Sequence, residues 1–401
     1  MEPRDNPFAP GAGTQPPELT GREELLEQAQ IALARVKAGR SAKSFIGVGL
    51  RGVGKTVLLN RVREMADDLA YKTIFVEAHE DKRLAELLAP HLRRVLLELD
   101  RLGALNAAIK RSLGVFKSFL SNIKLKYGEA GLALDIEPET GSADSGDLEA
   151  DLPELFAAVG RAARERGVPV VLLIDEIQYL GERDMGALIM AMHRVAQDRL
   201  PMLLVAAGLP QVVGLSGRSK SYAERLFDFP MIDALAFDDA ARALQAPVEE
   251  QNVAFVPEAL QTIVATTQGY PYFLQAWGYY VWNAAAGSPI DVGDVERATP
   301  KVMANLDASF FRVRFDRMTP TEKTYLRAMA ELGPGPYRSG DIAAKLDRKV
   351  TSLGPLRGGL IHKGMIYSPS HGDTAFTVPL FDAYLRRIMP EFTAPAPQAR
   401  E

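Results

Sequence analysis

Gly49-Leu50-Arg51-Gly52-Val53-Gly54-Lys55-Thr56 is the stretch from which the rest of the chain is read. It fits GxxxxGK[ST] at every fixed position, follows the apolar run Ser44-Phe45-Ile46-Gly47-Val48 and precedes Val57-Leu58-Leu59. The expected elements are a strand, a glycine-rich loop and a helix start. Glycines in such a loop let backbone N–H groups turn inward around phosphate oxygens, and the helix N-terminus adds partial positive charge. Gly49, Arg51, Gly52, Val53 and Gly54 would form the cradle, Lys55 would reach the outer phosphates, and the Thr56 hydroxyl would ligate Mg²⁺. The bland alternative is a glycine-rich turn that binds nothing. The complete motif in strand–loop–helix context argues against it.

Working outward, Thr20-Gly21-Arg22-Glu23 has capping-box spacing, and Leu25, Leu26, Ala29, Leu33 and Val36 recur at helical period until Gly39. A helix to about Ala70 follows the loop, then a β-rich run Thr73-Ile74-Phe75-Val76. The second chemical motif is Pro169-Val170-Val171-Leu172-Leu173-Ile174-Asp175-Glu176, an apolar run ending in two carboxylates. That is the pattern of a buried parallel strand delivering acids at its C-terminal edge, where phosphates sit in open α/β sheets. Asp175 would hold Mg²⁺, through water or through Thr56, and Glu176 would polarise an attacking water as general base. Further strands are expected at Met202–Ala207 and near 230. Alternation with helices and right-handed crossovers then give a parallel five-stranded sheet between helices.

Composition sets the bounds. The 401 residues are 47% hydrophobic and 24% charged, enough for two or three domains with real cores. With no cysteine there is no disulfide or thiolate site, and the cytoplasm is the expected location. No apolar run approaches the roughly 20 residues that span a bilayer, and Met1 to Pro17 has no apolar signal core, so no membrane role is expected. Residues 1–17 and 390–401 read as flexible tails. From 103 to 147 a basic stretch gives way to an acidic one, an insertion read as a solvated hairpin or loop, or else as a partner-docking element. A helix is expected to restart at Asp151-Leu152-Pro153-Glu154.

Beyond Ala236 the strands stop, and helical patterns up to Phe315 suggest a separate α-helical domain over 236–317. From 318 to 389 three helices and a hairpin (Met365–Tyr367 against Ala375–Val378) read as a winged helix-turn-helix. The third helix is interrupted by Gly354-Pro355 and Gly358-Gly359. Although the whole chain carries a formal charge of -4, residues 319–388 hold ten Lys and Arg against six Asp and Glu. Arg348, Lys349, Arg357 and Lys363 are the candidate phosphate contacts of a DNA-binding surface. Protein docking is the equal alternative, because fold alone does not assign function.

The order of phosphate loop, acidic strand, helical lid and winged helix resembles AAA+ P-loop ATPases of the archaeal-type origin-recognition group and their STAND signalling relatives. The resemblance covers roughly residues 17–388 and implies a nucleotide-binding domain over 18–235 with ATP and Mg²⁺ as cofactors. Pro17-Glu18-Leu19-Thr20-Gly21-Arg22-Glu23 is similar to the family's opening motif beside the adenine, which brings in Leu19, Thr20 and Arg22. Thr267-Gln268-Gly269-Tyr270-Pro271 is similar to the turn by which the lid approaches the nucleotide, which brings in Pro271 and Tyr272. The family's sheet order also puts the strand ending at Ala207 between the loop strand and the Asp175 strand. Arg225 lies where members present an arginine finger to a neighbour, and is otherwise a surface arginine.

Two departures stand out. Many members carry a polar sensor at the end of the fourth strand, where this chain reads Ala206-Ala207-Gly208. Replication-type members often have an arginine after the lid proline, where this chain has Tyr272, which supplies no charge. The resulting expectation is a slow ATP-dependent switch acting on double-stranded DNA or a partner protein, with any homo-oligomer depending on ATP. The alternatives are a STAND-like assembly scaffold and a DNA-binding regulator with little turnover.

Overall fold

The computed structural model describes residues 1–11, 16, 19–101, 107–122, 137–333, 335–370 and 372–392. They form two compact units, one of Arg22–Gly49 with Lys55–Ile232 and one of Met1–Gly21, Leu50–Gly54 and Asp233–Glu401.

The first unit runs α1 (Glu23–Lys37), β1 (Ser44–Val48), α2 (Lys55–Asp68), β2 (Lys72–Glu77), α3 (Leu84–Arg101), α4 (Ala107–Asn122), α5 (Leu148–Arg166), β3 (Val170–Asp175), α6 (Glu182–Gln197), β4 (Met202–Gly208), α7 (Gln211–Ser219), α8 (Ala223–Leu226) and β5 (Phe227–Asp228). Its five strands are parallel in the order β2-β3-β4-β1-β5. β4 therefore separates β1 from β3, the order implied by the resemblance. Alternation sorts the strand side chains onto two faces. In β3, Val170, Leu172 and Ile174 enter one core and Val171 and Leu173 the other. Both faces are apolar because helices cover both, which is why β3 and β4 read as unbroken hydrophobic runs.

Three expectations in this unit are corrected. The insertion over 103–147 is not a solvated hairpin where it is described: residues 107–122 are α4, which buries Ile109, Leu113, Phe116 and Phe119 in the larger core. These residues fall at spacings of three and four, a helical stripe masked by the surrounding lysines and arginines. Residues 103–106 and 123–136 of the insertion lie outside the described residues. α5 starts at Leu148 under an Asp147 cap, and Asp151 instead accepts hydrogen bonds from the Ser145 backbone and hydroxyl and from Gly146 N. α1 has no side-chain cap: Thr20 is buried, its hydroxyl donating to Asp239 O at 2.8 Å within the second unit.

The second unit runs α9 (Phe237–Glu249), α10 (Pro257–Thr267), α11 (Pro271–Ala284), α12 (Val292–Asn305), α13 (Arg312–Asp316), α14 (Pro320–Glu331), β6 (Tyr337–Arg338), α15 (Ser339–Lys345), α16 (Val350–His362), β7 (Ile366–Tyr367), β8 (Asp373–Phe376) and α17 (Phe381–Ile388). The three short strands are antiparallel in the order β6-β8-β7. One apolar core continues from α9 to α17, with Phe311 stacked on Tyr384 at 5.2 Å, so the core does not break at the expected boundary near 317. α16 is continuous despite its glycines and Pro355. Thr319 and Glu322 form a capping box ahead of Pro320, slightly earlier than the Thr321 start expected.

The N-terminal segment is not a free tail. Phe8 is 2% exposed and its ring lies where a Cβ on Gly278 would come within 2.6 Å. The Trp282 indole donates to Glu2 O at 3.0 Å, Asn6 Nδ2 donates to Tyr279 O at 2.9 Å, and the Met1 ammonium donates to Ala285 O. At the other end Arg327 donates to Met389 O, and Phe392 packs against the core. Prolines and glycines around these anchors hid them, since composition weighs a segment and not its one deeply buried ring. Residues 393–401 lie outside the described residues.

Candidate functional site

β1 ends at Val48, and Gly49 N donates to Gly208 O at 3.0 Å, which ties the loop's first glycine to the end of β4. Gly52 and Gly54 have φ of +83° and +93°, a region that L side chains rarely adopt, so both positions call for glycine. α2 begins at Lys55, which is buried, and its first turn carries Thr56. The Thr56 hydroxyl donates to Asp175 Oδ2 at 2.6 Å. Thus the last residue of β3 and the first turn of α2 are joined by the two oxygens expected to share a divalent cation.

Asp175 is only 4% exposed, and burial pushes its carboxyl above the usual carboxylate range. The hydrogen bond from Thr56 and the charge of Lys55 oppose that rise, and the neighbouring Glu176 carboxylate adds to it. A buried carboxylate held beside one hydroxyl and one ammonium lacks the charge that a divalent cation supplies, and oxygen donors of this type suit Mg²⁺. The donor set fits the cation and a phosphate chain.

Glu176 has a left-handed backbone (φ +51°) and caps the 3₁₀ turn Ile177–Tyr179. That conformation costs a non-glycine residue about 1–2 kcal/mol, and the turn folds Gln178 back toward Glu176. Gln178 Nε2 donates to Glu176 Oε2, and Gln178 Oε1 accepts from Leu209 N at 2.9 Å. Reading the sequence missed Gln178. The signal was its position two residues after Glu176, beside an unusually bare Ala206-Ala207-Gly208.

Residues 18–205 match the AAA ATPase domain family. This segment is an AAA ATPase domain. Residues 308–385 match a domain of unknown function. Among solved structures, the Walker-type ATPase PABY2304 of Pyrococcus abyssi is similar at 19% identity with a TM-score of 0.59, over 93% of this chain and 97% of that one, a likeness of fold. The Aeropyrum pernix ORC1 protein in complex with DNA aligns over 93% of this chain and 94% of its own, at 15% identity and a TM-score of 0.47. The Thermotoga maritima RuvB Holliday junction branch migration motor aligns over 88% and 91%, at 16% identity and a TM-score of 0.44. Those two scores are too low to bear on this chain. No curated protein matches it in sequence.

The matched segment contains the loop, Asp175 and Glu176, and the other candidates fall in several places. In the second unit, which includes Leu50–Gly54, Tyr272 N donates to Gly52 O at 3.2 Å and the Tyr272 ring stacks on Phe310 at 4.7 Å. Pro271 occupies the first turn of α11, and Leu19 is half-buried next to Thr20. Arg22 and Val53 are half-buried and buried respectively. Arg225 lies in the last turn of the short helix α8 and is exposed. Of the four candidate DNA contacts, Arg357 donates to Thr374 Oγ1, Ser368 Oγ and Asp373 O, each at 2.8 Å, and so braces the β7–β8 hairpin. Lys363 pairs with Glu322 at 2.8 Å. Lys349 is exposed and Arg348 half-buried. Among the described residues no helix is long and apolar enough to cross a membrane.

Proposed function

We propose that the chain is a slow Mg²⁺-dependent ATP hydrolase that works as a switch. The observation that carries this reading is the 2.6 Å contact between Thr56 Oγ1 and Asp175 Oδ2 beside buried Lys55. Gly49, Gly52 and Gly54 allow the loop backbone to approach the phosphates of ATP, Lys55 pairs with the outer phosphates, and Thr56 and Asp175 hold Mg²⁺. The cation, when bound, neutralises phosphate charge. Glu176 orients the attacking water and takes its proton at Oε1, the oxygen that Gln178 leaves open among the described residues. Ala206, Ala207 and Gly208 supply no further polar side chain, so hydrolysis is slow. Glu176→Gln should bind ATP normally and lose turnover by about 10²- to 10³-fold. Turnover at the wild-type rate would place the base elsewhere.

The switch acts through the C-terminal segment. Arg51, in the phosphate loop, donates from its backbone N–H to Thr377 O at 3.2 Å and from Nε to Gly364 O at 3.3 Å. Gly364 O also accepts from the buried Thr377 hydroxyl at 2.6 Å, so Arg51 joins the polar knot where α16 and β8 end. Movement of the loop on ATP binding is therefore felt at the hairpin. We read α14–α17 with β6–β8 as a winged helix that contacts duplex DNA through Arg348 and Lys349. A second reading, docking of a partner protein or STAND-like assembly, is favoured by the internal bonds of Arg357 and Lys363 and by Val350, 48% exposed at the start of α16.

A further inference from the structure

We propose that Gln178 is the positioning residue of the Glu176 base, anchored where β4 ends. This rests on the reading of Glu176 given above. The Gln178 side chain is buried, and its amide is used at both ends: Nε2 donates to Glu176 Oε2, and Oε1 accepts from the buried Leu209 N. Leu209 directly follows Gly208, so the amide sits at the point where β4 ends. A Cβ on Gly208 would lie 2.8 Å from Gln178 Oε1 and 2.9 Å from Ile177 Cγ2, so a side chain there would collide with the amide. The bare strand end and the buried glutamine are two sides of one arrangement.

The amide has one way to satisfy both neighbours. Leu209 N must find an acceptor, which fixes Oε1, and that leaves the NH₂ group facing Glu176. Glu176 Oε2 is thereby held by a donor anchored to the central sheet, and rotation of the carboxylate is restrained. Oε1 is the oxygen left to receive a proton. A base held in this way keeps its aim at the attacking water, whereas a free glutamate samples several rotamers and spends less time in line.

Four variants of the full chain separate the roles: Gln178→Glu, Gln178→Ala, Gly208→Ala and Glu176→Gln. Gln178→Glu keeps an acceptor for Leu209 N but has no donor for Glu176. Gly208→Ala keeps both Glu176 and Gln178 but displaces the Gln178 amide from the strand side. The measurements are kcat and KM for ATP, the Kd for Mg-ATP by calorimetry, and hydrogen exchange at the Leu209 amide. We expect Gln178→Glu to lose about tenfold to hundredfold in kcat with KM and Kd unchanged and Leu209 still protected. Gln178→Ala should lose both kcat and Leu209 protection, and Gly208→Ala should reproduce the loss of kcat. Wild-type turnover in Gln178→Glu or Gly208→Ala while Glu176→Gln is inactive would overturn the positioning role and reduce Gln178 to a tie for Leu209. Full turnover in Glu176→Gln would overturn the base assignment itself.

Discussion

Phe8→Ala tests the claim that the chain's first residues belong to the folded structure. Phe8 is 2% exposed and fills the space over Gly278 on α11, inside the core shared by α9 to α17. Truncating a core phenylalanine costs about 3–5 kcal/mol where the surroundings cannot relax. A terminal segment can detach, so the loss cannot exceed its docking free energy, for which the burial of one such ring suggests about 1.5–3 kcal/mol. For a unit of about 150–250 residues, at about 2–4 °C per kcal/mol, the melting temperature should fall by roughly 3–12 °C. Gly278→Ala attacks the same contact from the helix side, since its new Cβ would meet the Phe8 ring at 2.6 Å. The two changes should be strongly non-additive, because each releases the same segment. Calorimetry on the full chain and both variants, with limited proteolysis at residues 1–8, reads the effect. An unchanged melting temperature in Phe8→Ala, with no faster cleavage, would return this segment to the status of a tail.

Glu322 gives a pH dependence. Burial alone would raise its carboxyl, but hydrogen bonds from Lys363 and Thr319 and the Lys363 charge outweigh burial and hold it below its ordinary value. A depressed carboxylate stabilises the fold above its unfolded pKa of about 4.3, and the contribution disappears as pH falls through the folded value. Glu322→Gln should therefore melt below the wild type at pH 7, with the gap closing in acid; a gap that stays at its full size as the pH is lowered would contradict the ion-pair account. Arg225→Ala should slow ATP turnover only at protein concentrations where the chain self-associates, if Arg225 reaches a neighbour's phosphates; equal rates at high concentration would leave it a surface arginine. DNA binding through Arg348 and Lys349 alone should give a log-log salt slope of about -1.8, at about -0.9 per phosphate. A slope of about -3.6 in a salt titration would mean that Arg357 and Lys363 leave their internal partners.

The phosphate loop and the Asp175-Glu176 strand end were legible because each is a local pattern whose chemistry depends on residues adjacent in sequence. The sheet was legible for the same reason: β3 and β4 are apolar on both faces, as a strand covered on both sides must be. What the chain hid depends on distant partners. α4 carries its apolar stripe among lysines and arginines, and only the packing of Ile109, Leu113, Phe116 and Phe119 shows which property prevails. Arg357 and Lys363 look like free cations in sequence, yet the groups that engage them, Thr374 and Glu322, stand 17 and 41 residues away. Thr20 has the spacing of a cap but bonds to a carbonyl 219 residues distant. Gln178 was hidden differently. Its partner Glu176 is close by, but the reason for a glutamine is the Leu209 amide that the fold brings alongside.

The most direct test of the switch is hydrogen exchange across residues 364–377, with and without Mg-ATP, in the wild type and in Lys55→Ala. Arg51 links the phosphate loop to Gly364 and Thr377, and Lys55 lies outside that link. Mg-ATP should change exchange in this segment of the wild type and leave that of Lys55→Ala unchanged. A wild type that binds Mg-ATP, shown by calorimetry on the same sample, with no change in exchange between 364 and 377 would contradict the account.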